Sequence, residues 1–323
     1  MGRVSAAQGG LGPAEATAIF RVRLRRPWLM PESSYLERWR VKNGLVLEGG
    51  GMRGLYTAGV LDVLMEEKIE FDGLVGVSAG AVFGCNYKSH QVGRVLRYNT
   101  AYCRDPRYVS LRSLLRTGDL YGEEFCYHTL PEVLDPFDAV AFAKEPCEFY
   151  VVCTDVPTGK PVYHRCCNGD AEDIQWMRAS ASMPLVSRIV RVGGRELLDG
   201  GIADSIPVTW FRSIGYERSL VVLTQPKEYR KKKAAGLPLV KLLLRKHPAV
   251  VTALARRYEI YNAALDELAR LENAGEVLVI RPERPLGISR TERNPENLRK
   301  THRLGCEDAK AFLPALRSFL DAA

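Results

Sequence analysis

The stretch GLVLEGGGMRGLYTAGVLDVL, residues 44–64, decides the fold. A short apolar run over 44–48 enters three consecutive glycines, Gly49, Gly50 and Gly51. A helical pattern leaves them: Leu55, Val60, Leu61 and Leu64 recur at helical spacing and predict a helix over 54–67. A strand, a glycine turn and a helix together make a site for negative charge, because free backbone amides and the helix N-terminus point at one place. Two occupants remain open at this point. One is a nucleotide phosphate, and the other is an oxyanion that exists only during a reaction.

Working outward, 71–77 reads as a second strand and 79–87 as the next helix. Further strands are expected at 148–153, 197–198, 219–223 and 276–280. Strands separated by helices predict an α/β fold in three layers, with a mainly parallel sheet covered on both faces. After Pro226 the texture changes. KEYRKKKAAG (227–236) is a charged connector, and one or two amphipathic helices with a break at Pro248 follow. A strand and a last helix over 306–320 complete the chain. The expected organisation is a weakly ordered basic extension over 1–40, an α/β domain over 43–226, and a mostly helical region with one strand over 227–323.

Residues 76–80, GVSAG, form a G-x-S-x-G pattern between a strand and a helix, the setting a nucleophile elbow needs. Gly76 and Gly80 leave room for a tight turn that lifts the Ser78 hydroxyl out of the sheet. The glycine loop can then be weighed again. Gly49, Gly51 and Gly54 match the spacing of a dinucleotide fingerprint, which also wants an acidic residue at the end of the second strand. Glu70 and Asp72 fall before that strand, and its C-terminal end carries Ser78. No Lys-Ser or Lys-Thr follows the glycines, which excludes a P-loop. The remaining reading is an oxyanion hole built from the amides of Gly50, Gly51, Met52 and Arg53.

A serine nucleophile needs a base. The five histidines are His90, His128, His164, His247 and His302, and none adjoins a turn motif. His247 and His302 read as surface residues. LLDGGIADSIPV (197–208) instead places Asp199 at the end of a short apolar strand, ahead of Gly200 and Gly201. Taken alone, this Asp-Gly pair is an ordinary turn.

In combination, GGGMRG at 49–54, GVSAG at 76–80 and DGG at 199–201 resemble the patatin-like phospholipase family of serine lipid hydrolases. ASASMP at 179–184 and TDVPTGKPVYH at 154–164 also look like family segments. The resemblance covers about 43–226. It implies a patatin-like fold and a dyad of Ser78 as nucleophile and Asp199 as general base. It also implies an oxyanion hole at Gly50 to Arg53, fatty-acyl esters of (lyso)phospholipids or related lipids as substrates, and no metal or cofactor. The alternatives are a nucleotide-binding protein that uses the Gly49–Gly54 loop and a non-enzymatic lipid-binding protein.

Apolar content is 46% and charged content 26%, as in a globular protein with a sizeable core. No apolar run reaches the ~20 residues of a membrane span, and no signal-peptide pattern opens the chain. Eight cysteines without a CxxC pair read as reduced thiols, without metal-ligand spacing, in a cytoplasmic protein. The net charge of +8 is uneven: residues 1–43 carry +5, 227–257 carry +9, and the remainder is net −6. The 227–257 patch suits peripheral contact with an anionic membrane at its inner face, and nucleic acid is not expected as a partner. Leu237, Leu239, Val240 and Leu242 to Leu244 read as core, the alternative being that they face a bilayer.

Overall fold

A computed structural model describes residues 41–321. The extension expected over 1–40 lies outside the described residues. Strand β1 (Asn43–Leu47) runs through a 3-10 turn at Gly51–Arg53 into helix α1 (Gly54–Glu66). Strand β2 (Gly73–Val77) leads directly into α2 (Ala79–Lys88). Next come α3 (Arg94–Tyr102), α4 (Leu111–Thr117), a π-helix (Phe125–Leu134) and α5 (Ala139–Lys144). Strands β3 (Glu148–Asp155) and β4 (Pro161–Cys166), helix α6 (Ala171–Ser180), and strands β5 (Val190–Val192) and β6 (Arg195–Asp199) follow. Helix α7 (Val208–Ser213), strand β7 (Arg218–Val222), helices α8 (Leu237–Leu243) and α9 (Pro248–Asn273), strand β8 (Val277–Ile280) and helix α10 (Pro295–Asp321) complete the order.

The strands form one sheet in the order β5-β6-β3-β2-β1-β7-β8, with β4 also on β3. Pairings from β3 through β8 are parallel, whereas β3–β4, β3–β6 and β5–β6 are antiparallel. The fold is therefore the expected α/β type with a mixed sheet. Alternation along β1 divides the core: Leu45 and Leu47 pack with α1, α2 and α10, while Val46 packs with Phe211 of α7 and Tyr261, Leu265 and Leu268 of α9. Helices thus cover both faces. No helix among the described residues is long and apolar enough to cross a membrane.

The register sets the site. Val77, the last residue of β2, pairs with Val152 of β3, and Asp199, the last of β6, pairs with Cys153. Cys153 and Thr154 pair with β4 as well as β6, so β6 must lie on the opposite edge of β3 from β4. That is the edge β2 occupies. Strands β2 and β6 therefore run toward each other along one edge of β3, and the residues at their ends, Ser78 and Asp199, meet.

The last helix is longer than the expected 306–320, because Gly305 does not stop it. A Cβ at Gly305 would stand 2.0 Å from the Tyr56 carbonyl oxygen, and one at Gly59 would stand 2.0 Å from that of His302. These glycines let α10 lie directly on α1. The surface reading of His302 is corrected here, since its Nε2 lies 2.7 Å from Asp62 Oδ2 in that interface. The core reading of the α8 leucines also fails: Leu239, Leu242 and Leu243 are each more than half exposed, and α8 buries no residue.

Candidate active site

Ser78 occupies the single residue between β2 and α2, with φ +55° and ψ −120°. Positive φ is uncommon for a residue with a Cβ, and such strain persists only where surrounding structure holds it. Here the Ser78 amide donates to Ser180 Oγ at 2.9 Å, and Ser180 Oγ donates to the Val152 carbonyl at 2.6 Å. Gly76 lies within β2, and Gly80 packs against the β1 backbone, where a Cβ would stand 2.5 Å from the Leu47 carbonyl oxygen.

Ser78 Oγ donates to Asp199 Oδ2 at 2.6 Å. Asp199 is buried, with its other oxygen accepting from the Gly201 amide at 2.8 Å. Its own amide donates to the Ser182 carbonyl, and its carbonyl accepts from Thr154 Oγ1, both at 2.8 Å. Gly200 and Gly201 begin the 3-10 turn that follows β6. Burial pushes the Asp199 carboxyl above its ordinary pKa, and Arg257, the Ser78 hydrogen bond and the Gly201 amide offset part of that rise. Ser180, Ser182 and Thr154 fall inside ASASMP and TDVPTGKPVYH, but nothing in those segments alone assigned them these contacts.

The glycine loop packs on the elbow. A Cβ at Gly49 would stand 2.9 Å from Ser78 Cβ, and one at Gly50 would stand 2.9 Å from Thr224 Oγ1. Gly51 has φ +58°, and Gly54 opens α1. One expected donor is corrected: the Met52 amide donates to the Arg290 carbonyl at 3.0 Å, so it is engaged before any substrate arrives. Its amide is drawn away by a loop far downstream, which local spacing does not reveal.

Ser78 and Asp199 line a cavity of about 360 Å³. Val82 and Phe83 of α2, Tyr98, Leu130 and Met183 supply apolar lining. Charged groups line it too. Glu48 follows β1, and its carboxylate accepts from Tyr261 Oη at 2.6 Å, the Thr224 amide at 2.7 Å and Thr224 Oγ1 at 3.0 Å. Arg53, Lys231, Arg257 and Arg290 also line the cavity, and three of these four come from beyond residue 226. Elsewhere His164, Cys166 and Asp173 bring one ligand atom each within 4.8 Å of one another, a set that their scattered spacing did not predict. The Asp173 carboxylate already accepts from the Asn168 and Gly169 amides, and the His164 ring stacks on Trp176.

A patatin-like phospholipase family model matches residues 45–211, just over half of the chain, and a domain of unknown function (DUF6363) matches 247–321. The uncharacterised protein YjjU of Escherichia coli (strain K12) is 31% identical over 201 residues, covering 57% of this chain and 52% of that protein. The uncharacterised NTE family protein Rv1063c of Mycobacterium tuberculosis (strain ATCC 25618 / H37Rv) is 30% identical over 186 residues, covering 55% and 48%. Lysophospholipase nte1 of Aspergillus oryzae (strain ATCC 42149 / RIB 40) is 27% identical over 179 residues, covering 53% and 11%. The chain thus spans about half the length, or less, of the relatives it matches. The crystal structure of VipD from Legionella pneumophila aligns with a TM-score of 0.41 at 13% identity, covering 85% of this chain and 67% of that one. With the family model spanning strand β1 through the Asp199 turn, the chain belongs to the patatin-like phospholipase family.

Proposed function

We propose that the chain is a serine acyl-ester hydrolase that cleaves fatty-acyl esters of (lyso)phospholipids or related lipids. The observation that carries this reading is the 2.6 Å contact from Ser78 Oγ to the buried Asp199 carboxylate, at a strained elbow against a glycine loop. Family membership and a relative named as a lysophospholipase support the lipid part.

Asp199 Oδ2 takes the Ser78 proton as Oγ bonds to the ester carbonyl carbon. The carbonyl oxygen becomes an oxyanion, and the amides of Gly50, Gly51 and Arg53 are its proposed donors. Asp199 returns the proton to the departing alkoxide as the ester C–O bond breaks, leaving an acyl-Ser78. Water repeats the sequence and releases the fatty acid. Each step balances without a metal or cofactor. A carboxylate is a weaker base than imidazole, and the raised Asp199 pKa narrows that gap.

The test is hydrolysis of a short-chain nitrophenyl ester by wild type, Ser78→Ala and Asp199→Asn, with folding checked by circular dichroism. Full activity in either folded variant defeats the dyad. Covalent labelling of wild type, but not Ser78→Ala, by a fluorophosphonate is expected.

We also propose peripheral contact with an anionic membrane through α8. Its exposed Leu239, Leu242 and Leu243 lie among Lys232, Lys233, Lys241, Arg245 and Lys246. Eight free thiols suit the reducing side of such a membrane. Flotation with vesicles containing phosphatidylserine is expected to carry wild type but not a Leu242→Glu, Leu243→Glu double variant. Equal flotation of the two removes α8 from the contact.

A further inference from the structure

The cavity holds more positive charge than the dyad needs. Arg94, Arg178 and Asp119 also line it, but Arg94 pairs with Asp135, and Arg178 with Asp119 and Glu123. The charged groups left, Arg53, Lys231, Arg257 and Arg290 with Glu48 and Asp199, carry a formal excess of two positive charges. Neither carboxylate forms an ion pair with them: Glu48 is taken up by Tyr261 and Thr224, and Asp199 by Ser78 and Gly201. The Nε atoms of Arg53 and Arg257 are buried and have no hydrogen-bond partner among the described residues. A buried, unpaired guanidinium N–H is costly, and an oxygen from water or a ligand relieves that cost. The Arg257 head also sits beside the dyad, because a Cβ at Gly201 would stand 3.1 Å from Arg257 Nη2 and 3.0 Å from Asp199 Oδ1.

We infer that Arg53, Lys231, Arg257 and Arg290 form a binding site for a phosphate monoester dianion, directly beside Ser78. The inference rests on the hydrolase reading for its setting and adds what the ester carries. A dianion matches the excess of two charges. A phosphodiester head bearing choline or ethanolamine brings one negative charge and a further cation, which four cations repel. A neutral glyceride brings no charge and leaves the guanidinium groups unpaired. Lys231 has the same preference built in: burial, then Arg257 and Arg290, hold it down to about 7, and an anion among the three relieves that repulsion. Its position is fixed by the Tyr261 ring, whose centroid lies 4.1 Å from its Nζ. The dianion has two sources, a terminal phosphate on the acylated substrate or free phosphate.

The first arm measures kcat/KM on three monomeric substrates that share one acyl chain: an acylglycerol phosphate monoester, its choline phosphodiester and the neutral acylglycerol. Wild type is expected to prefer the monoester at least about tenfold, the value of one charge-assisted contact. That preference is expected to collapse in Lys231→Met and in Arg290→Gln, the latter at an exposed side chain where folding is not at risk. The second arm titrates inorganic phosphate into wild type and Ser78→Ala by calorimetry, which needs no turnover. Phosphate binding that is lost in both cation variants, without a preference among the lipids, assigns the site to free phosphate. No phosphate binding together with no monoester preference overturns the inference. Absence of all ester hydrolysis in wild type defeats the hydrolase reading instead, and the calorimetry still decides the site.

Discussion

Asp199 Oδ2 accepts from Ser78 Oγ at 2.6 Å, while the carboxyl is closed off from water. Burial raises its pKa, and the deprotonated form is the one that can take the serine proton. Activity is therefore expected to rise with pH through that raised value, and its acid limb should lie above the ordinary carboxylate range. A kcat/KM profile on a neutral ester reads this directly. A limb at the usual aspartate value would show that a different group is titrating. Loss of about 10³-fold or more is expected for Ser78→Ala and for Asp199→Asn.

Gly51→Ala should cost activity rather than folding. The backbone there has φ +58°, and a Cβ would stand 2.6 Å from the Arg290 carbonyl that anchors the Met52 amide. The loop has to shift, and the Gly50 and Gly51 amides shift with it. A fall of about 10–100-fold in kcat, with little change in KM, is expected for a misplaced oxyanion donor. Steady-state kinetics on the nitrophenyl ester separates the two constants.

The His302–Asp62 pair predicts a pH dependence of stability. Burial alone lowers the imidazole pKa, but hydrogen bonding to Asp62 and Cys306 outweighs it and sets the value at about 9. Folding therefore favours the protonated ring. The stabilisation is fully present below the unfolded value of 6.5 and is lost as pH rises through about 9. It is on the order of 3 kcal/mol, and His302→Gln should remove it. Thermal melts at pH 6 and pH 9.5 are expected to differ less in His302→Gln than in wild type.

Gly305→Ala inverts the usual helix rule. In a helix interior that change ordinarily gains about 1 kcal/mol. Here the added Cβ meets the Tyr56 carbonyl oxygen at 2.0 Å, so α10 must lift from α1. Overpacking of this kind costs about 1–3 kcal/mol, enough to reverse the sign. A denaturant midpoint at or above wild type would show that the helices re-seat freely.

What could be read in the sequence was what local backbone geometry demands. Gly49 to Gly54, the elbow around Ser78 and the Asp199 turn are short segments whose residue types follow from close approach and tight turning. The expected spans of β1, β2, α1 and α2 lie within two residues of those observed. What could not be read depends on contacts distant in sequence. Lys231, Arg257 and Arg290 carry no local signal for the cavity; the connector after β7, α9 and the loop before α10 bring them to it. Strands β4 and β5 were unassigned, because short hairpin strands with exposed residues lack a clean alternation. The π-helix over Phe125–Leu134 holds Pro131, a residue that argues against a helix from sequence alone.

Two separable stretches of chain build this cavity. Ser78, Asp199 and the glycine loop all come from residues up to 199, whereas Lys231, Arg257 and Arg290 come after β7. The downstream stretch thus reaches the cavity with charged and polar groups, while the aliphatic lining and Arg53 come from upstream. Through its bond to the Met52 amide, the Arg290 carbonyl ties the two stretches together.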